Sequence, residues 1–412
     1  MKLTAAALAL AALAAAPLPA QEPGNPAPES TAAKPILPQI PDKDLRWMHT
    51  ARRGFTLHLG FALLADYTAF FQDSASETQV GAQRDQWDLR AARALARGTL
   101  GRAGAVSYLV VLEYKGLDHE PEERPFGFID FQLAVPLAGG TLAMGKVKEP
   151  WIYEMAGDAV NLQTTERILN PFFVSRNAGL RWYRRVTPWL AASAGVFNDG
   201  WAHGLSFSES GTQVTTRIAF LPVHDNTRNR FLHLAIGGRY NGADRDSLRL
   251  KGRPESDVSS AFVDTGNLPA DHENEVSLEL MAVSGRLTVT AERAQAFVHS
   301  PQTGNPVLSG TYVAASWFPQ PVRRPYDPAA SFARRPIPRN SAGALEFAAR
   351  WSLLDLDDAG ATGGTMNTWY GGVNWWVGTS WRVSAGYVVS KLDRFGARGI
   401  EQAIHTRIQF LL

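Results

Sequence analysis

Phe55-Thr56-Leu57-His58-Leu59-Gly60-Phe61 is the stretch from which the fold can be read. Its odd positions are large and apolar and its even positions small or polar, so an extended chain sends one set to each face. One face can meet lipid and the other water. Alternation of this kind in segments of roughly ten residues is the mark of a tilted membrane strand.

The same pattern recurs outward from this segment, near 55–64, 84–97, 104–115, 126–136, 140–148, 177–185, 188–197, 212–222, 229–240, 273–283, 285–295, 309–319, 343–354, 366–377, 380–390 and 401–411. These about sixteen strands suit an all-β fold, a transmembrane antiparallel β-barrel with both termini on the periplasmic side. The gaps alternate as such a barrel requires. Long ones at 65–83, 149–176, 198–211, 241–272, 296–308, 355–365 and 391–400 are external loops, and tight ones near Val186-Thr187, Ser284 and Gly378-Thr379 are periplasmic turns. The Pro- and Arg-rich stretch 320–342 breaks the rule. It is either a periplasmic protrusion or a concealed hairpin, and the protrusion is the preferred reading.

Ahead of the barrel, Met1-Lys2, an apolar run from Leu3 to Ala16 and Pro17-Leu18-Pro19-Ala20 form a signal peptide over 1–20. Residues 21–50 read as a disordered, Pro-rich periplasmic lead-in, and 51–412 as the barrel. After the signal no run reaches the ~18 apolar residues of a membrane helix. The chain has no cysteine, so no disulfide framework supports it.

Several motifs occur in a fixed order. They are Leu89-Arg90-Ala91-Ala92-Arg93 before Gly98-Thr99-Leu100-Gly101, Phe128-Ile129-Asp130 before Gly145-Lys146-Val147-Lys148-Glu149-Pro150, and Glu166-Arg167 with Ser175-Arg176-Asn177-Ala178-Gly179. Ala194-Gly195-Val196-Phe197-Asn198-Asp199, Trp317-Phe318 before Arg324-Pro325-Tyr326, and Leu345-Glu346-Phe347-Ala348-Ala349-Arg350-Trp351-Ser352 follow. In this order the chain resembles the phosphate-selective porins (porin O and P type) of the bacterial outer membrane. The resemblance implies a sixteen-stranded homotrimer in outer-membrane lipid, with a narrow lumen lined by arginine and lysine. Families share a fold more faithfully than a substrate.

If the large apolar residues face lipid, the opposite parity lines the pore. It carries Arg90, Lys115, Lys146, Lys148, Arg217, Arg239, Arg286, Arg350, Arg382 and Arg407, with His58 and His233, against Asp88, Glu113, Asp130, Glu279, Glu292 and Glu346. A positive, low-dielectric passage concentrates anions, and rings of Arg and Lys select them. Arg adds a planar fork that matches two phosphate oxygens. The expected function is a passive channel preferring anions such as phosphate or polyphosphate. Two rivals stay open: a general-diffusion pore whose charges only set a transverse field, and a plugged structural or adhesive barrel using loop 241–272.

Loop 149–176 is the third long loop, and is expected to fold inward as a constriction. It carries Glu154, Asp158, Glu166, Arg167 and Arg176 opposite Lys146 and Lys148; the alternative is an external loop that packs only on its neighbours. Arg93 and Arg97 fall on the nominal lipid face, which calls for a subunit interface, a rim position or a bulge. There is no Gly-x-Ser-x-Gly elbow and no His-Glu-x-x-His pair, so nothing in the sequence points to an enzyme, a cofactor or a metal. The cations are dispersed over strands, which does not suit nucleic acid.

Overall fold

The computed structural model describes residues 49–52, 54–101, 105–114, 126–200, 206 and 210–412. The expected signal peptide, the lead-in up to residue 48 and Lys115 lie outside the described residues. Sixteen antiparallel strands form the wall: β1 Phe55–Gln72, β2 Gln86–Leu100, β3 Val106–Tyr114, β4 Phe126–Leu137, β5 Gly140–Lys148, β6 Arg176–Thr187, β7 Leu190–Asn198 and β8 Thr212–Asp225. They continue as β9 Arg230–Gly242, β10 His272–Ser284, β11 Leu287–His299, β12 Val307–Trp317, β13 Ala344–Asp358, β14 Ala361–Val377, β15 Trp381–Arg394 and β16 Ala397–Leu411.

Each strand pairs with the next, and β16 returns to β1 from Ala62↔Leu411 to Gln72↔Glu401, closing the barrel. β1 extends beyond the end of β16, and a short strand His49–Arg52 pairs with Phe55–His58 at that end. We call this the inner end and the opposite one the outer end. Closure satisfies every wall strand laterally, which a lipid environment demands. Outward aromatic side chains mark the two boundaries: Trp317, Phe347, Trp375 and Trp381 toward the inner end, Tyr240, Phe297, Trp369 and Tyr387 toward the outer.

The structure corrects three expectations and decides among the alternatives left for Arg93 and Arg97. The strands of the last two outer hairpins run further than alternation showed, so the long loops expected at 355–365 and 391–400 shrink to Ala359-Gly360 and Phe395-Gly396. Ala359, Phe395 and Gly396 take the positive φ of tight hairpin turns.

Segment 318–343, at the inner end, is not a protrusion. It folds up into the lumen as a small hairpin, with Val322–Arg323 paired to Ile337–Pro338 and Tyr326–Asp327 to Phe332–Ala333. Pro325, Pro328 and Pro336 lack the donors that a wall strand needs. Tyr326 and Ala333 instead pack on Leu221, Phe231, Met281 and Val283. Arg324 is buried against Glu346 at 2.6 Å.

A bulge between β1 and β2, where the register shifts between Leu64 and Asp66, resolves Arg93 and Arg97. Beyond it Arg93 stands opposite Ala62 and Arg97 opposite His58, both on the inward face of β1. Arg286, expected on the lumen face of a strand, lies in the exposed turn before β11 and donates to the Pro319 carbonyl at 2.8 Å.

Candidate functional site: the narrowed lumen

The inner wall is two-sided. On β11 to β15 many inward residues are apolar, among them Ala294, Ala296, Leu308, Ala314, Leu354, Met366 and Leu392. The third outer loop, 149–175, lies on that side because it can bury there Trp151, Ile152, Met155, Ile168, Leu169 and Phe172, all fully buried. Its entry presses against Gly237, where a Cβ would stand 1.8 Å from the Trp151 carbonyl oxygen. Ser277 donates to that carbonyl at 2.9 Å, and the Glu292 carboxylate accepts the Tyr153 and Glu154 N–H groups.

Buried arginines fix the rest of the loop. Arg350 donates to the Glu166 carbonyl at 2.6 Å and pairs with Glu154 at 3.1 Å and with Glu255 of the fifth outer loop at 2.7 Å. Arg382 donates to the Leu162 carbonyl at 3.0 Å and the Thr164 carbonyl at 3.2 Å. Arg407 donates to the Thr165 carbonyl at 2.6 Å and pairs with Asp66 at 2.6 Å and Glu166 at 2.7 Å. Arg217 grips Glu279 at 2.6 Å and the Ser331 carbonyl of the inner hairpin at 2.9 Å. Arg239 holds Glu149 at 2.7 Å and Glu275 at 2.8 Å. Alternation placed all five on the inward face, and they lie there. Their forks are occupied by carboxylates and carbonyls, so they form the frame of the constriction.

The other side, β2 to β6, stays polar and partly exposed. Arg90 pairs with Glu166 at 2.7 Å, Arg93 with Glu113 at 2.7 Å, Lys148 with Asp158 at 2.6 Å and Arg176 with Asp130 at 2.9 Å. Arg167 and Arg181 join them, and the charge of Arg176 reaches Arg93, Lys146, Lys148, Arg167 and Arg181. Each of these cations keeps some exposure, unlike Arg217, Arg239, Arg350, Arg382 and Arg407. Arg176 opens β6 and is not part of the loop.

β5 departs from simple alternation. Gly145 takes φ +121°, where a Cβ would fall 2.1 Å from the Phe131 carbonyl oxygen. Val147, between the two lysines, packs with Ala134, Ala143, Tyr183 and Phe197. Lys146, expected in the lumen, stands opposite the outward Phe131 and donates to the Phe128 carbonyl at 2.7 Å, because inward Val147 gives it the outward parity, whereas Lys148 reaches the loop. The sequence reading missed Arg93, for want of the bulge, and Arg181, which alternation through the outward Leu180 and Trp182 would have found.

The loop's own charges are tuned by this setting. Burial alone would raise the Asp158 carboxyl, but Lys148, with Arg176 and Arg167, holds it well below the usual carboxylate range. Glu166 is likewise opposed by burial and held low by Arg90 and Arg407. Burial dominates at Glu154, raising it despite Arg350, and lowers Arg167 to about 10.

Above the loop a cavity of ≈ 640 Å³ opens at the outer end, where Arg90, Arg239, Arg249, Lys251 and Arg253 are matched by Glu166, Asp199, Asp244, Asp257 and Glu273. Beneath it, between loop and hairpin, the spaces shrink to ≈ 50 and ≈ 40 Å³. A wide mouth of balanced charge thus lies above the loop, and only small spaces remain where the loop packs on the hairpin and wall.

The sequence profile of the family described as phosphate-selective porin O and P matches residues 61–411. A protein of Caulobacter vibrioides, described as uncharacterized, is 26% identical over 240 residues; the match takes in 54% of this chain and 48%, about half, of that relative's length. Among solved structures, the anion-selective porin from Comamonas acidovorans superposes with a TM-score of 0.56 at 12% identity, covering 87% of this chain and 100% of the other. The outer membrane channel DcaP of Acinetobacter baumannii gives 0.52 at 10%, covering 87% and 98%. With a closed sixteen-strand barrel narrowed from within and a family match across nearly all of it, the chain belongs to the phosphate-selective porin O and P family of the bacterial outer membrane.

Proposed function

We propose that the chain is a passive diffusion channel that prefers anions, phosphate among them. One observation carries this: on the side of the lumen that the third loop leaves uncovered, Arg90, Arg93, Arg97, Lys148, Arg167, Arg176 and Arg181 outnumber Asp88, Glu113, Asp130, Asp158 and Glu166. A cationic surplus between low-dielectric walls draws anions inward, and successive moderate sites let each ion leave again. At the mouth Arg249 is taken up by Asp264 and Arg253 has Asp257 beside it, so selection falls to the uncovered side below. The similar porin of Comamonas acidovorans is described as anion-selective, and an outer membrane protein of Vibrio cholerae of the same fold was solved in a trimer form. We take a homotrimer as the working assembly.

A second reading rests on the pairs themselves. Arg90 with Glu166 and Lys148 with Asp158 set cation against anion across the passage, as an unselective pore does to create a transverse field. Titration of chloride current with inorganic phosphate separates the two. A selective channel is blocked in a saturable way, and Lys148→Glu with Arg181→Gln weakens the block. A general-diffusion pore shows no saturable block in parent or variant.

A further inference from the structure

A polar track runs down the outward face of β10, β11 and β12. At its outer end His272 and His299 face each other across the ladder, rings 5.0 Å apart. Below them, on the same outward parity, Gln295 stands opposite Ser309 and Arg293 opposite Thr311. Arg293 is the middle residue of β11 and is exposed. Its guanidinium donates to Thr311 Oγ1 at 3.1 Å, and it meets no carboxylate among the described residues. Around it lie the exposed Leu278, Phe297 and Val313.

A guanidinium turned to lipid at this depth is unfavourable unless something anionic or hydrated reaches it. We infer that the track is a docking site for a phosphorylated glycolipid of the outer leaflet. Its phosphates would meet Arg293 and, nearer the surface, the paired histidines. Its sugar hydroxyls would meet Gln295, Ser309 and Thr311, and its acyl chains would run past Arg293 over Leu278 and Val313. Arg acts here as a bidentate phosphate ligand.

Charge complementarity selects this occupant over a second copy of the chain. The outward face of β10, β11 and β12 carries no carboxylate among the described residues, and Asp271 lies at the rim 3.5 Å from His299, so two copies meeting through this same face would leave Arg293 unpaired. The inference rests on the barrel's place in the outer membrane and not on its ion preference.

The test is to refold the full chain in detergent free of lipopolysaccharide and add bisphosphorylated lipid A or its fully dephosphorylated form. Bound lipid is counted by native mass spectrometry. The phosphorylated form binds in preference, Arg293→Leu weakens it about tenfold or more, and Arg293→Lys keeps part of the affinity. His299→Ala, at the rim, gives a smaller loss and serves if the leucine variant folds poorly. Equal binding of the two lipids, or no change in Arg293→Leu, overturns the site. So does a variant that changes oligomer mass while still binding lipid, since the track would then be a subunit contact.

Discussion

Replacing Arg407 with Met tests whether buried guanidinium groups hold the constriction in place. Methionine is close in length and carries no charge, so the change isolates the ionic contacts. In the parent, Arg407 grips both oxygens of Asp66, at 2.7 and 2.6 Å, the Glu166 carboxylate at 2.7 Å and the Thr165 carbonyl at 2.6 Å. All of this lies in a site where the Arg407 side chain has no exposure. The substitution leaves Asp66 without its partner and Glu166 with Arg90 alone. Removing one member of a buried pair costs about 3–5 kcal/mol. At about 1.4 kcal/mol per tenfold, a displaced loop becomes about a hundredfold to several thousandfold more populated. The wall does not depend on this contact, because β16 keeps its ladders to β15 and β1. The expected result is a barrel that folds and migrates like the parent but whose single channels flicker and visit larger conductance levels. Adding Asp66→Asn and Glu166→Gln to Arg407→Met should quieten the channel again, because Arg90, the one charge that loses a partner, is partly exposed and keeps Asp257 at 3.5 Å. If Arg407→Met channels match the parent in noise and conductance, the guanidinium does not hold the loop.

Gly237→Val should act from the opposite side of the lumen: its side chain cannot coexist with the Trp151 carbonyl, so the loop entry must move, and the expected readout is a changed conductance with the barrel intact. Acid should loosen the loop. Asp158 and Glu166 are held low when the loop is seated, so their contribution is complete above about pH 4 and is lost as pH falls through their lower seated values; Glu154, raised by burial, contributes in the opposite sense and loses its share as pH rises. Channel noise recorded across a pH series should therefore ease slightly as Glu154 takes up its proton on the way down from neutrality, and increase below about pH 4, where Asp158 and Glu166 are protonated in turn. Shortening the inner hairpin by joining Pro325 to Arg334 removes its tip and its contact with Arg217, and should raise conductance; an unchanged conductance would mean that the hairpin does not narrow the passage.

Much of the wall was legible in the sequence because lipid outside and water inside force a period of two, as in Phe55–Phe61. Legibility fails where that constraint lapses. The outer hairpins around Ala359-Gly360 and Phe395-Gly396 leave the membrane, so nothing imposes apolar alternation on Asp355, Asp357 or Thr362. A single inserted residue reverses parity, and this concealed Arg93 and Arg97. The signal was nonetheless present: a lipid-facing arginine at mid-depth costs about 2–4 kcal/mol, and Arg90 and Arg93, three apart, can both reach water only across a bulge. The prolines of 320–342 excluded a wall strand but carried no direction. The contacts that seat the constriction join residues as remote as Arg407 and Thr165, whose pairing no local pattern announces. Residue type could mark Arg350, Arg382 and Arg407 as inward-facing, but not as already occupied.

The central claim is that the uncovered basic side of the lumen makes the channel prefer anions. Its most direct test is the reversal potential of single channels under a potassium chloride gradient, for the parent and for Lys148→Glu with Arg176→Glu. The parent should reverse near the chloride equilibrium potential, and the variant should move toward that of potassium. A parent that reverses near zero, or a variant that reverses where the parent does, would contradict it.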